Sequence, residues 1–289
     1  MYVRHRFVRS WLAGLGALAL SANLVASVAS AATLGYTTNL KLWLKADAGV
    51  TADGAGDVSQ WNDFSGNSHD GTVSNTAPNV IPGALNGLPV IRFNGASDSL
   101  ILGNGAVQSS SDFTIFAVAN STATGGLNRA IYANWNFSDP FGSVFMGVIA
   151  NSAIDQPVRL TPTLTSNSLV NPSTHFRLKG VYNTTGGTSD VYQDEVLFGT
   201  GGATPRSGAA DSYIGVQGEL NQEFWDGDIA ELLIYDHVLN AADTAAVESY
   251  LTAKWFTPVP EPSSVMLLGC GVLALAVGRR LSRRFVSGA

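Results

Sequence analysis

An all-β fold of two stacked antiparallel sheets is predicted by three features of this sequence. Short apolar runs recur along the middle of the chain, several with the period-two alternation of a half-buried strand. Between them lie turn clusters such as Thr124-Gly125-Gly126 and Thr185-Gly186-Gly187. The composition agrees: of 289 residues 45% are hydrophobic and only 13% charged, and 31 are glycine. That suits one large, turn-rich β domain with a sizeable core.

Taken in order, residues 40–46 alternate apolar and polar and read as the first strand, leading into a second aromatic-tipped segment and the polar loop 62–71. Further strands are expected at 89–95, 99–102, 113–119, 130–135, 143–150, 176–182, 191–198 and 213–216, and a long one at 224–235. One helix closes the domain. Asn240 is its expected N-cap with Asp243 three positions on, and Val247, Tyr250, Leu251 and Trp255 share a face at helical spacing.

The two ends have a different character. Arg4, Arg6 and Arg9 precede an apolar run at 11–20, and Ala29-Ser30-Ala31 supplies the small residues of a signal-peptidase site, so residues 1–31 read as a signal peptide. At the other end Pro260-Glu261-Pro262 is followed by an apolar run at 265–278 and then by Arg279, Arg280, Arg283 and Arg284. Fourteen apolar residues span about 21 Å as a helix, a marginal crossing of a hydrocarbon core about 30 Å thick. Basic residues hold such an end on the cytoplasmic side. In this order the three parts of residues 258–289 resemble the PEP-CTERM sorting signal of Gram-negative bacteria. The resemblance implies a transmembrane helix that anchors the precursor, removal by an exosortase, and delivery to the cell envelope or extracellular matrix. An uncut C-terminal anchor is the other reading of the same residues.

The ends hold seven of the sixteen basic residues and only Glu261 of the twenty-two acidic ones. Residues 32–259 are therefore left with 9 positive and 21 negative side chains, a net charge of −12. Such a surface argues against nucleic acid as a partner and is compatible with neutral glycans and cations. The single cysteine, Cys270, lies in the apolar tail, so the intervening domain is held by its core without a disulfide.

Within that domain, at 32–257, the run Leu42-Trp43-Leu44-Lys45-Ala46-Asp47, the loop from Trp61 to Gly71 and the 227–235 segment with its following helix resemble LamG-like modules of the concanavalin A-like lectin and glucanase group. The resemblance implies a jelly-roll sandwich with one concave sheet. It also implies a structural role for Glu231 in the closing strand. It does not fix an activity.

Four candidate sites follow. Asp63, Ser65, Asn67 and Asp70 place oxygen donors along one loop, as a Ca²⁺ site requires, and the same short side chains also cap loop backbones. His69, His175 and His237 have no catalytic neighbours in sequence, and His69 reads as a surface histidine. Asp226, Asp228 and Glu231 invite comparison with glucanase carboxylates, but strict alternation puts Glu231 on the opposite face from the other two unless a bulge intervenes. Trp135, Phe137 and Phe141 occupy a polar segment where a ring can stack on a sugar, whereas Trp43, Trp61, Trp225 and Trp255 read as core. The expected function is a non-enzymatic, exported binding module for a glycan or exopolysaccharide. A purely structural surface protein and a hydrolase or lyase remain alternatives.

Overall fold

Alternating burial shows directly why these segments are strands. In Phe176–Asn183 every second side chain is buried and the others are half exposed, and Leu40–Lys45 follows the same rule. The computed structural model describes residues 32–103, 112–134, 144–161, 164–205, 211–218 and 222–258, all within one compact unit, Ala31–Val259. The expected signal peptide and C-terminal sorting tail lie outside the described residues. Among the described residues no helix is long and apolar enough to cross a membrane.

The described strands are, in chain order, β1 (Leu40–Lys45), β2 (Val50–Ala52), β3 (Val58–Trp61), β4 (Gly71–Val73), β5 (Asn79–Leu85), β6 (Leu88–Asn94), β7 (Leu100–Leu102), β8 (Phe113–Ala119) and β9 (Leu127–Ala133). They continue with β10 (Phe145–Ala150), β11 (Pro157–Leu160), β12 (Leu164–Ser168), β13 (Phe176–Asn183), β14 (Thr188–Gln193), β15 (Val196–Gly202), β16 (Ser212–Ile214) and β17 (Asp226–Tyr235). Helix α1 (Ala241–Leu251) follows and ends in a π-helical turn at Thr252–Phe256.

These strands form two antiparallel sheets. One runs β15-β14-β13-β8-β17-β6-β5, with β1 also on β17; the other runs β12-β11-β10-β9-β16-β7-β4-β3-β2. β17 is the hub of the first sheet. Along one edge it pairs with β8, and along the other with β6 over Asp226–Ile229 and with β1 over Glu231–Tyr235. The main core lies between the sheets and includes Leu42, Leu44, Ile91, Phe93, Trp61, Trp225, Ile229 and Leu232. A second core, with Val90, Phe116, Val118, Leu233, Tyr235, Val247, Leu251 and Trp255, lies between the first sheet and α1. β17 is thus covered on both faces, which is why nine of its ten residues are buried.

Two expectations change. The single strand expected at 191–198 is the meeting of β14 and β15, because Asp194 and Glu195 both take positive φ, +48° and +71°, and turn the chain as a hairpin. Strands β2, β4, β5, β11 and β12 were not anticipated, and β5 is joined to β6 by Asn86-Gly87, also at positive φ. The helix cap is as expected: Asn240 Oδ1 accepts the Ala242 and Asp243 N–H groups, and Asn240 Nδ2 donates to Asp243 Oδ2 at 2.7 Å.

Candidate functional site

The three carboxylates of β17 are where catalysis on this fold would be sought, and a β-bulge decides their arrangement. Ile229 lies opposite Ala119 and Glu231 opposite Val118, so Ala230 has no partner on β8. The extra residue returns Glu231 to the face that carries Asp228, the face turned toward α1. This corrects the expectation from strict alternation. Each of the three acids is nonetheless engaged by neighbouring groups.

Glu231 is fully buried. Its Oε1 accepts the Trp43 indole N–H at 2.6 Å and the Tyr250 hydroxyl at 2.8 Å, and its Oε2 accepts the Trp255 indole N–H at 2.6 Å and Lys254 Nζ at 2.8 Å. Lys254 also pairs with Asp47 at 2.7 Å. Four donors satisfy a carboxylate, and they come from β1, α1 and the π turn. The structural role implied for this acid holds, and its partners are all side chains. Burial, followed by the Glu231 charge, drives the Tyr250 hydroxyl pKa well above its ordinary value, so it stays a donor.

Asp228 is equally committed. Arg92 clasps it in two parallel bonds, Nε to Oδ1 at 2.6 Å and Nη2 to Oδ2 at 2.9 Å. Its backbone N–H donates to Asn120 Oδ1 at 2.6 Å, and His175 Nε2 lies 3.5 Å from Oδ2, an electrostatic contact longer than a good hydrogen bond. Burial alone would raise the Asp228 pKa. The contacts from His175 and Arg92 outweigh burial and hold it below the usual carboxylate range. Asp226 accepts the Thr122 hydroxyl at 2.8 Å and packs against Gly95, whose missing side chain leaves the room.

In the 62–70 loop Asp63 accepts the backbone N–H groups of Trp43, Ser65 and His69 and the Ser65 hydroxyl, at 2.7 to 3.1 Å. Asp70 accepts the Asp63 N–H at 2.8 Å, Ser65 Oγ lies 3.0 Å from Lys41 O, and Asn67 Nδ2 donates to Leu40 O. The four residues proposed for calcium therefore stitch the loop to itself and to β1. Among the described residues no group of three or more His, Cys, Asp or Glu side chains is placed to hold a metal.

His69, expected at the surface, is buried with Nδ1 2.7 Å from Gly103 O, and His237 contacts the Tyr36 hydroxyl at 3.2 Å. Trp61, Trp225 and Trp255 are core, as expected, while Trp43 is only partly buried. Trp135, Phe137 and Phe141 lie outside the described residues. The partners Arg92, Tyr250 and Lys254 had no local signal in sequence, since each meets its carboxylate only through the pairing of distant elements.

With the geometry in hand, comparison with known families is decisive at one level. Residues 94–245, more than half of the chain, match the concanavalin A-like lectin/glucanases superfamily. The chain belongs to that superfamily. Residues 258–284 match the PEP-CTERM protein-sorting motif, which indicates an exported, membrane-anchored precursor sorted to the cell envelope and processed by an exosortase. No curated protein matches the sequence.

Among solved structures, this concanavalin A-like domain resembles domain 4 of AbnA, an extracellular arabinanase from Geobacillus stearothermophilus solved with arabinotriose. The two are 17% identical with a TM-score of 0.52, over 73% of this chain and 97% of that one. An arabinofuranosidase complexed with arabinofuranosyl-alpha-1,2-xylobiose is 13% identical with a TM-score of 0.55, over 72% of this chain and 53% of that one. The binding domain of Paraclostridial Mosquitocidal Protein 1 is 13% identical with a TM-score of 0.53, over 75% and 52%. The chain spans about half of the last two. At these identities the likeness is one of fold, and the jelly roll fits it.

Proposed function

We propose that the domain is exported to bind polysaccharide and that it performs no turnover of its own. The observation that carries this reading is the commitment of the β17 carboxylates. Glycoside cleavage needs one carboxyl to donate a proton to the leaving oxygen and a second to act as nucleophile or base, both facing the sugar. Here Glu231 is sealed under α1 by four donors, and Asp228 is clasped by Arg92. A sugar bound over this face would meet neither as a free acid.

The polysaccharide part of the reading draws support from superfamily membership and from the arabinotriose complex of the AbnA domain. The route is a signal peptide at 1–31, a transmembrane helix formed by 265–278, and exosortase removal of the tail at Pro260-Glu261-Pro262. The product then resides in the envelope or its polysaccharide matrix. A glycan array probed with the whole chain, with and without EDTA, tests the binding, and release of reducing sugar from each bound polysaccharide tests the absence of turnover. Binding without sugar release is the expected result. A blank array moves the function to scaffolding, and sugar release makes the protein an enzyme.

A further inference from the structure

Resting on the polysaccharide-binding reading, we propose that Phe64 and Lys45 form a platform for a neutral sugar at the corner between β1 and the 62–70 loop. Among the described residues Phe64 is the only aromatic side chain left exposed, at 41%. Its exposure is not that of a loose loop. The Phe64 N–H donates to Trp43 O at 2.9 Å, and the neighbouring Asp63 carboxylate fastens the same segment to β1. The ring lies against Gly49, where a Cβ would come within 2.6 Å of it, and meets Trp43 in an edge contact with centroids 6.1 Å apart. A rigid frame thus holds an apolar ring in water, where its solvation costs about 25 cal/mol for each Å² left uncovered.

The cation beside it points to the partner. Lys45 Nζ sits 4.1 Å from the Phe64 centroid and 4.3 Å from that of Trp43. The other described lysines, Lys41, Lys179 and Lys254, each have a carboxylate within 4.0 Å, and among the described residues Lys45 has none. A ring next to a triple N–H donor matches a sugar, which offers an apolar C–H face edged by hydroxyls. The net charge of −12 over residues 32–259 selects a neutral glycan over a polyanion.

The test titrates the whole chain and its variants against neutral polysaccharides, arabinan among them, and against a polyuronate. Phe64→Ala is expected to weaken binding about tenfold or more and Lys45→Met by several fold, while Phe64→Trp, which keeps a ring, stays within about threefold of wild type. Wild-type affinity in Phe64→Ala overturns the platform and leaves polysaccharide binding intact. Failure of Phe64→Trp to preserve binding assigns the ring to packing, and preference for the polyuronate overturns the neutral ligand. If the wild type binds no polysaccharide, the functional reading falls and the platform with it.

Discussion

The indole nitrogen of Trp43 lies 2.6 Å from Glu231 Oε1, although 188 positions separate the two residues. The bond joins the first strand of the sandwich to its last, and the second oxygen of the same carboxylate holds Trp255 at the end of the helix. One buried acid therefore fastens both ends of the described domain to each other. It also gives the most deeply buried carboxylate of β17 a part in holding the architecture together.

Replacing Glu231 tests that role. Glu231→Gln leaves Lys254 without its buried counter-charge and turns an N–H₂ group toward donors that need an acceptor. A loss of about 3 kcal/mol is expected, in the range for breaking a buried pair by removing one partner. For a domain of this size it corresponds to a fall of roughly 6–12 °C in melting temperature. Chemical denaturation and thermal melting measure it; a change below about 0.5 kcal/mol would show the network to be dispensable.

Acid should act through Asp228. Its folded pKa is depressed, so it contributes stability that is complete above its unfolded value of about 3.9 and is lost as pH falls through the lower folded value. Asp228→Asn is expected to cost roughly 1.5–3 kcal/mol at neutral pH, the range of hydrogen bonds to a charged group. It should also flatten the decline of stability below about pH 4. Unfolding curves collected from pH 2 to 7 decide the matter, and an unchanged acid slope in the variant would assign that decline to other groups.

Asp63 separates a structural loop from a calcium loop. Removing an acceptor that three backbone N–H groups share should cost about 2 kcal/mol in Asp63→Ala. Because four donors already occupy its oxygens, millimolar Ca²⁺ is expected to leave the wild-type melting temperature unmoved. A calcium-dependent rise that Asp63→Ala abolishes would instead make this loop a cation site.

Gly227 enters the bulged strand at φ +144°, and a Cβ there would fall 2.3 Å from the Asn120 carbonyl oxygen. Since the obstacle is backbone, Gly227→Ala is expected to destabilise by about 3 kcal/mol or more. Gly54→Ala, at a position with open space and ordinary φ, is the control and should be nearly neutral. Equal melting temperatures for the two variants would contradict the tight approach of β17 to β8.

Much of the fold could be read from local pattern. β1 and β13 show their alternation in sequence because each is buried on one face only, and the Asn240 cap and the Val247, Tyr250, Leu251, Trp255 face are local to one helix. β5 was missed, despite the Asn86-Gly87 turn, because Pro82 and Gly83 interrupt its apolar run, and the β14–β15 hairpin because its turn puts Glu195, a poor turn former, at positive φ. The site was less legible. His69, His175 and Arg92 carry no sequence sign of their contacts with Gly103 O and Asp228.

By itself the sequence determined an all-β exported domain with one closing helix and a sorting tail, since hydrophobic period, turn chemistry, capping and terminal charge all act within a few residues. The tertiary structure alone decided which way Glu231 faces, through a single unmatched residue at Ala230, and it alone left the Phe64 ring in solvent. Both outcomes depend on how strands far apart in the chain come into register, and a one-residue shift in register exchanges the two faces of a strand.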